Sequence, residues 1–132
     1  MMTSTDPIAD MLSRIRNALA VGKAEIELPH SSVKQSVAEV LAKAGFINSA
    51  RVKEVEGRKV LQISLSQANT NSPLTHLKRI SSPGRRIYAQ AGAIPTVKRG
   101  RGIVVVSTSK GMMRGDEAKH QNLGGELVCE VY

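Results

Sequence analysis

The stretch GIVVVSTSKGMM, residues 102–113, constrains the fold of this chain more than any other. Four consecutive apolar residues, Ile103 to Val106, predict a buried strand. Directly after them come Ser107, Thr108, Ser109, Lys110 and Gly111, which are small and polar with a single charge. We expect these five residues to form a loop that the rigid buried strand holds in place.

The chemistry of residues 107–111 suits contact with RNA. Serine and threonine hydroxyls donate and accept hydrogen bonds, so they can bind a 2′-hydroxyl, a phosphate oxygen or a base edge. Lys110 adds one charge for a phosphate, and Gly111 allows close approach of a nucleic-acid backbone. An ordinary turn rich in serine and threonine, capped by its own hydroxyls, would use the same residue types. The sequence leaves both interpretations open.

Basic residues are concentrated in one interval of the chain. The net charge is +8, and no carboxylate lies between Glu56 and Asp116. That interval holds eleven of the nineteen basic residues, namely Arg58, Lys59, Lys78, Arg79, Arg85, Arg86, Lys98, Arg99, Arg101, Lys110 and Arg114. A surplus of this size predicts a polyanionic partner, with nucleic acid as the first candidate and an anionic membrane surface as the second. Tyr88 is the only Phe, Tyr or Trp of the interval, so a surface that binds nucleic acid by stacking bases on aromatic rings is disfavoured. Recognition of RNA by its shape is the mode of binding that remains.

The first half of the chain predicts the element order α-β-α-β-β. Thr5-Asp6-Pro7 is typical of a helix start, and Gly22 of a helix end. Between them an apolar stripe recurs at helical spacing, with Arg14 and Asn17 on the opposite face. The stripe consists of Ile8, Met11, Leu12, Ile15 and Leu19.

A short strand is predicted at residues 25–28, followed by a second helix that Ser31 or Ser32 caps and Gly45 ends. The apolar stripe of this helix consists of Val33, Val37, Val40, Leu41 and Ala44. Strands at 46–55 and 59–65 then flank a hairpin turn at Glu56-Gly57-Arg58.

Residues 67–76 are polar and rich in turn formers, which predicts a linker. The second half is predicted to be mostly β, with short strands at 77–81 and 85–89 around a turn at 82–84. A buried strand at 103–107, a short helix at 114–121 and a last strand at 124–132 follow. Leu127, Cys129 and Val131 are expected to share one face of the last strand. The fold class is therefore α+β, with small α/β domains at 1–66 and 77–132.

Gly124, Gly125 and Glu126 open the last strand, and two glycines are costly for strand formation. Either a tight turn or close approach of the backbone to a ligand would explain them. We expect this double glycine to lie beside residues 107–111.

Catalysis is poorly supported. His30, His76 and His120 are scattered, the Gly-x-Ser-x-Gly nucleophile motif is absent, and Gly100-Arg101-Gly102 lacks the spacing of a pyrophosphate loop. Cys129 is the single cysteine. We expect no cofactor, no metal and no small-molecule substrate. With neither a leader nor a membrane-spanning run, we expect a protein that is cytoplasmic or made inside an organelle. A small enzyme acting on RNA or nucleotides stays as the alternative.

Four segments, in order, resemble the bacterial-type family of small-subunit ribosomal protein number eight. They are residues 6–17 (DPIADMLSRIRN), residues 79–88, the Ser107–Gly111 stretch and residues 124–129 (GGELVC). The resemblance covers essentially the whole chain. Ser32 departs from it, since lysine is common there, and so does Arg101, where an apolar residue is usual.

The resemblance implies two small α/β domains and no enzyme activity. It implies a structural constituent of the ribosome that is a primary binder of small-subunit rRNA, recognises an irregular helix of the central domain and aids subunit assembly. It also implies contacts with neighbouring small-subunit proteins and, in many bacteria, translational repression of the protein's own mRNA. The RNA-binding residues implied are Ser107, Thr108, Ser109, Lys110, Gly111, Gly124, Gly125, Glu126, Tyr88 and Arg86, with Thr5, Asp6, Arg14, Asn17 and Lys34 facing a second RNA segment. A plastid ribosome is as compatible with the sequence as a bacterial one.

Overall fold

A computed structural model describes residues 6–65, 74, 76–98 and 101–132. It is an α+β fold with two antiparallel sheets, which confirms the predicted class. The predicted linker, residues 67–76, lies outside the described residues apart from Leu74 and His76, so the division into domains stays a prediction. Within the described ranges, no helix is both long enough and apolar enough to span a membrane.

Helix α1 (Pro7–Ala20) begins where the sequence indicates, because the Asp6 carboxylate accepts a hydrogen bond of 3.2 Å from the Ala9 amide. Its buried side chains are Ile8, Met11, Leu12, Ile15 and Ala18. Gly22 ends the helix with φ of +76°, in the left-handed region that glycine tolerates best. The boundaries and the buried face of this helix are therefore as predicted, except that Leu19 of the predicted stripe is only partly buried.

Helix α2 (Ser32–Lys43) is capped by Ser31, whose hydroxyl accepts from the Lys34 amide at 3.2 Å. The predicted stripe is wrong at Val33, which is 50% exposed. The helix instead buries Lys34 and Ala38, since the aliphatic stem of a lysine can pack like an apolar side chain.

Strands β1 (Glu25–Pro29), β3 (Arg58–Ser64) and β2 (Ser49–Val55) form the first sheet, in that spatial order. The β2–β3 hairpin turns at Glu56 and Gly57, which both have positive φ, as two-residue hairpins often require. Strand β2 begins three residues later than predicted. The reason is that the Phe46 amide donates to Leu41 O and still belongs to the cap of α2.

The second sheet has the order β4–β8–β6–β7, and β5 pairs with the start of β8. Its strands are β4 (Leu77–Arg79), β5 (Tyr88–Ala89), β6 (Ile103–Thr108), β7 (Gly111–Arg114) and β8 (Gly125–Val131), with helix α3 (Gly115–His120) between the last two. A single 3-10 turn, Ala91–Ala93, follows β5.

Strands β4 and β5 are shorter than predicted, and the side chain of the buried Ser81 bridges the chain between them. The Ser81 hydroxyl accepts from the Ile87 amide at 2.8 Å and donates to Ile87 O at 3.2 Å. The turn at 82–84 is confirmed by paired hydrogen bonds of 3.0 Å between Ser82 and Arg85.

The buried strand is confirmed: Ile103, Val104, Val105 and Val106 are all buried. They are apolar in sequence because the sheet is covered on both faces. Ile103 and Val105 face a core shared with α1 and α2, whereas Val104 and Val106 face a smaller core closed by α3. The larger core therefore joins the two halves of the chain.

The predicted face of the last strand is wrong at Leu127. In the register with β6, Val105 pairs with Cys129 and Val106 with Leu127, so Val128 is an extra residue in β8. Such a bulge shifts the alternation by one. Leu127 consequently packs in the smaller core, while Val128, Cys129 and Val131 pack in the larger one.

Candidate nucleic-acid interface

The predicted loop at residues 107–111 is a β-hairpin tip, in which the loop is shorter than the five residues expected. Ser107 and Thr108 end β6, Gly111 begins β7, and only Ser109 and Lys110 lie in the turn. Gly111 has φ of +110°, whereas Ser109 and Lys110 do not have positive φ. This is the pattern of a turn closed by a glycine bulge. Strand β7, which begins at Gly111, was not predicted from the sequence.

Thr108 stabilises the tip from within. Its hydroxyl donates to Gly111 O at 2.8 Å and accepts from the Lys110 amide at 3.1 Å. For Thr108, then, the interpretation of a turn capped by its own hydroxyl is correct. Its side chain shapes the hairpin by these two bonds.

Two hydroxyls of the tip are left for a ligand. In the described part of the chain, neither Ser107 nor Ser109 has a hydrogen-bond partner for its hydroxyl. Ser109 and Lys110 are exposed, and Ser107 is half-buried beside β8. A rigid hairpin therefore presents two unpaired hydroxyls and one ammonium group at the end of the sheet.

Strand pairing places the other predicted residues in one row with Ser107. Ser107 pairs with Glu126 on β8, and Glu126 pairs with Tyr88 on β5. Arg86 Nη1 lies 3.0 Å from Glu126 Oε2, which gives this acidic residue a cationic neighbour. The Tyr88 side chain is exposed, at 67%. The row brings together residues that are up to 40 positions apart in sequence.

The double glycine has its explanation inside the protein. A Cβ added at Gly125 would lie 2.1 Å from Ser107 O, and one at Gly124 would lie 2.6 Å from Ala89 O. Both positions therefore require glycine because β8 passes close to its neighbouring strands. The sequence suggested a tight turn or close approach to a ligand, whereas the close approach that the structure shows is to the protein's own neighbouring strands.

An open hollow of about 510 Å³ adjoins this row, bordered by Tyr88, Gln90, Asn122, Gly124 and Gly125. Asn122 directly precedes the predicted glycine site in sequence, whereas Gln90 belongs to no motif and was not predicted. Asn122 has φ of +57° and ends α3, a left-handed cap position at which asparagine is tolerated.

The second predicted group of residues lies on and beside α1. Arg14 and Asn17 are exposed, as expected, and border a cleft of about 290 Å³ with Lys23. Lys34 is only 9% exposed. Burial lowers its pKa, an effect that Asp10 opposes and Arg14 reinforces. Lys34 and Arg14 thus lie close enough to interact. Thr5 lies outside the described residues.

The Asp6 carboxylate is already bonded twice, by the Ala9 amide and by the Arg79 guanidinium. No pattern in the sequence indicates the Asp6–Arg79 pair, because its partners are 73 positions apart. Cys129 is fully buried, and burial raises the pKa of its thiol to about 12. A thiol held in that state is a poor nucleophile.

The comparisons with known proteins agree over nearly the whole chain. The family model "Ribosomal protein S8" matches residues 6–132. Curated relatives named "Small ribosomal subunit protein uS8" occur in Ruthia magnifica (46% identity over 131 residues), in Halalkalibacterium halodurans (47% over 132) and in Staphylococcus aureus (46% over 132). Each alignment covers 99% of this chain and 100% of the relative. None of these names describes an enzyme. On this evidence the chain belongs to the ribosomal protein S8 family, a family of small ribosomal subunit proteins.

Proposed function

We propose that this protein is a structural constituent of the small ribosomal subunit that binds an irregular helix in the central domain of small-subunit rRNA. Its main contact surface is the tip surface, which we define as Ser107, Ser109, Lys110, Glu126, Arg86 and Tyr88. In this role the protein helps the subunit to assemble and contacts neighbouring small-subunit proteins.

The observation that carries this proposal is the pair of unpaired hydroxyls on a rigid hairpin. Because a buried strand and a turn closed by Thr108 hold the tip, the backbone that carries Ser107 and Ser109 is fixed before any partner binds. Donors that are fixed in advance lose little conformational entropy on binding. Hydroxyls can satisfy a 2′-hydroxyl or a base edge, which favours recognition of RNA over non-specific phosphate binding.

The charge distribution supports the same conclusion. The tip surface contains two of the eleven basic residues of the carboxylate-free interval, Arg86 and Lys110. Glu126 can accept a hydrogen bond from a base or 2′-hydroxyl, and its ion pair with Arg86 offsets its repulsion of phosphates. Gly111, Gly124 and Gly125 act by shaping the backbone beneath these groups.

A second RNA segment is proposed to bind along α1, where Arg14 and Asn17 are exposed; Lys34, whose charge interacts with that of Arg14, belongs to the same proposal. Thr5 belongs to this proposal through its position next to Asp6. The Asp6 carboxylate contributes by its hydrogen bonds within the protein and not by touching phosphate, since like charges repel.

The test is a binding competition between two RNAs. A hairpin with an irregular internal loop from the central domain competes with a fully paired hairpin of equal length, at low and at near-physiological salt. We expect the irregular hairpin to be preferred at both salt concentrations, because hydrogen bonds to bases and sugars are less salt-dependent than phosphate contacts.

The matched variants are Ser109→Ala and Ser49→Ala. Ser109→Ala should weaken binding of the irregular hairpin by about 1–3 kcal/mol, whereas binding of the paired hairpin should hardly change. Ser49 lies on β2 of the other sheet, so its variant should bind like the unmodified protein. Equal binding of both RNAs that vanishes as salt is raised would refute the proposal.

Translational repression of the protein's own mRNA is proposed on the same surface. An mRNA segment with a similar irregular helix should compete with the rRNA hairpin, and Ser109→Ala should weaken both by similar factors. An mRNA that binds equally well to the Ser109→Ala protein would show that repression does not use the tip surface.

A further inference from the structure

A largely buried ion pair joins Asp6, at the start of α1, to Arg79 on β4. The guanidinium Nε lies 3.1 and 3.2 Å from the two carboxylate oxygens, and Nη1 donates to Val128 O at 2.7 Å. The side chains are mostly buried, with 12% of Arg79 and 17% of Asp6 exposed. Hydrogen bonds between charged groups in such surroundings are strong and directional.

Each end of this connection carries a proposed RNA-binding element. Asp6 caps α1, the helix that displays Arg14 and Asn17. Val128 is the bulged residue of β8, two positions after Glu126 of the tip surface. Arg79 therefore connects the first turn of α1 to the bend in β8, which leads to the tip surface.

The apolar core alone does not fix the spacing of these elements so closely. Contacts between α1 and the second sheet are made largely by aliphatic side chains, and hydrophobic contacts are non-directional. Arg16 adds one directional bond, from its guanidinium to Leu77 O on β4. The Asp6–Arg79–Val128 connection adds two more, one from Nε shared between both carboxylate oxygens and one from Nη1, which resist sliding of the helix along the sheet.

We infer that the Asp6–Arg79 pair is a positioning device for RNA discrimination: it holds the α1 surface and the tip surface at the spacing that an irregular RNA helix fits. The inference rests on the proposed function. A paired helix of equal length offers phosphates at many spacings, so its binding depends little on this distance. The irregular helix presents its contact groups in a single arrangement, so its binding depends strongly on the distance between the α1 surface and the tip surface.

The test uses Asp6→Asn in the full-length protein. An asparagine keeps an oxygen that caps α1 at the Ala9 amide but removes the charge that holds Arg79. The matched control is Asp116→Asn, which removes the carboxylate of an exposed ion pair with Arg114 near the start of α3. Binding of both RNAs is measured at a temperature at which every variant is fully folded.

The ratio of the two dissociation constants is the readout, since a general loss of stability would not change it. We expect Asp6→Asn to lower the preference for the irregular hairpin about tenfold, the effect of one lost directional contact, and Asp116→Asn to leave it unchanged. The double variant Asp6→Asn/Arg79→Gln should discriminate no worse than the poorer single variant, because the two residues act as one unit.

Two results would overturn the inference, and they are distinguishable. An Asp6→Asn protein that melts earlier but keeps its full preference would show that the pair only stabilises the fold. An unmodified protein with no preference between the hairpins would overturn the proposed function, and the inference with it.

Discussion

Replacing Gly125 by alanine tests whether the approach of β8 to β6 sets the position of the hairpin tip. The added Cβ would lie 2.1 Å from Ser107 O and 2.9 Å from Ser107 C, and Cβ contacts under 3.0 Å essentially do not occur. The two strands must therefore separate by about 0.9 Å at this point, and the nearby atoms are backbone, which cannot rotate away.

The expected cost follows from two opposing effects. Overpacking a close-packed site costs about 1–3 kcal/mol, whereas replacing glycine by alanine stabilises by about 0.4–1 kcal/mol through the unfolded chain. The control Gly92→Ala isolates the second effect, because a Cβ added at Gly92 would meet no atom within 4 Å and the residue has no positive φ. We expect Gly125→Ala to lie about 1–3 kcal/mol below Gly92→Ala in unfolding free energy.

Urea unfolding followed by circular dichroism measures this difference, and hairpin binding is measured on the folded variants. Because Ser107 must move with its carbonyl, Gly125→Ala should also weaken binding of the irregular RNA hairpin by more than Gly92→Ala does. If the two variants were equally stable and bound RNA equally well, the close approach would not be what holds the tip, and the explanation of the double glycine would be wrong.

Two further predictions concern groups inside the fold. Burial raises the Cys129 pKa from 9.0 to about 12, so the thiol stabilises the folded state below pH 9, and that contribution is lost as pH rises from 9 towards 12. Between about pH 10 and 11, the unfolding free energy of the unmodified protein, measured with urea, should therefore fall by about 1.4 kcal/mol per pH unit relative to that of Cys129→Ala. Parallel pH profiles of the two proteins would contradict this. Thr108→Val keeps the side-chain shape but removes both hydrogen bonds that close the hairpin tip. Its unfolding free energy, measured by thermal unfolding, should fall by about 1 kcal/mol, and it should bind the irregular hairpin more weakly. An unchanged melting temperature would show that the tip does not need these bonds.

Much of the local structure was predictable because its causes lie within a few residues of one another. The caps of α1 and α2, the hairpin turn at Glu56 and Gly57 and the burial of residues 103–106 all follow from neighbouring side chains and periodicity. The errors have local causes as well. The apolar pattern predicts Phe46 in β2 although its amide completes a helix cap, and it misses β7 because that strand directly follows a two-residue turn.

The candidate site was predictable only as a set of residue types. A run of hydroxyls, a carboxylate-free basic interval and a double glycine can be read along the chain, and they indicate RNA. Which hydroxyls are available cannot be read, because Thr108 and Ser109 look alike in sequence. Their difference is that one closes the turn and the other projects from it.

The sequence by itself determined the fold class, the two capped helices and the basic character of the second half, because each depends on local propensity or on charge that needs no partner. Only the tertiary structure decided the bulge at Val128, the pairing of Asp6 with Arg79 and the close approach of Gly125 to β6. These depend on residues that are distant in sequence and come into contact only when the second sheet and the larger core form. Local sequence patterns do not predict such long-range contacts.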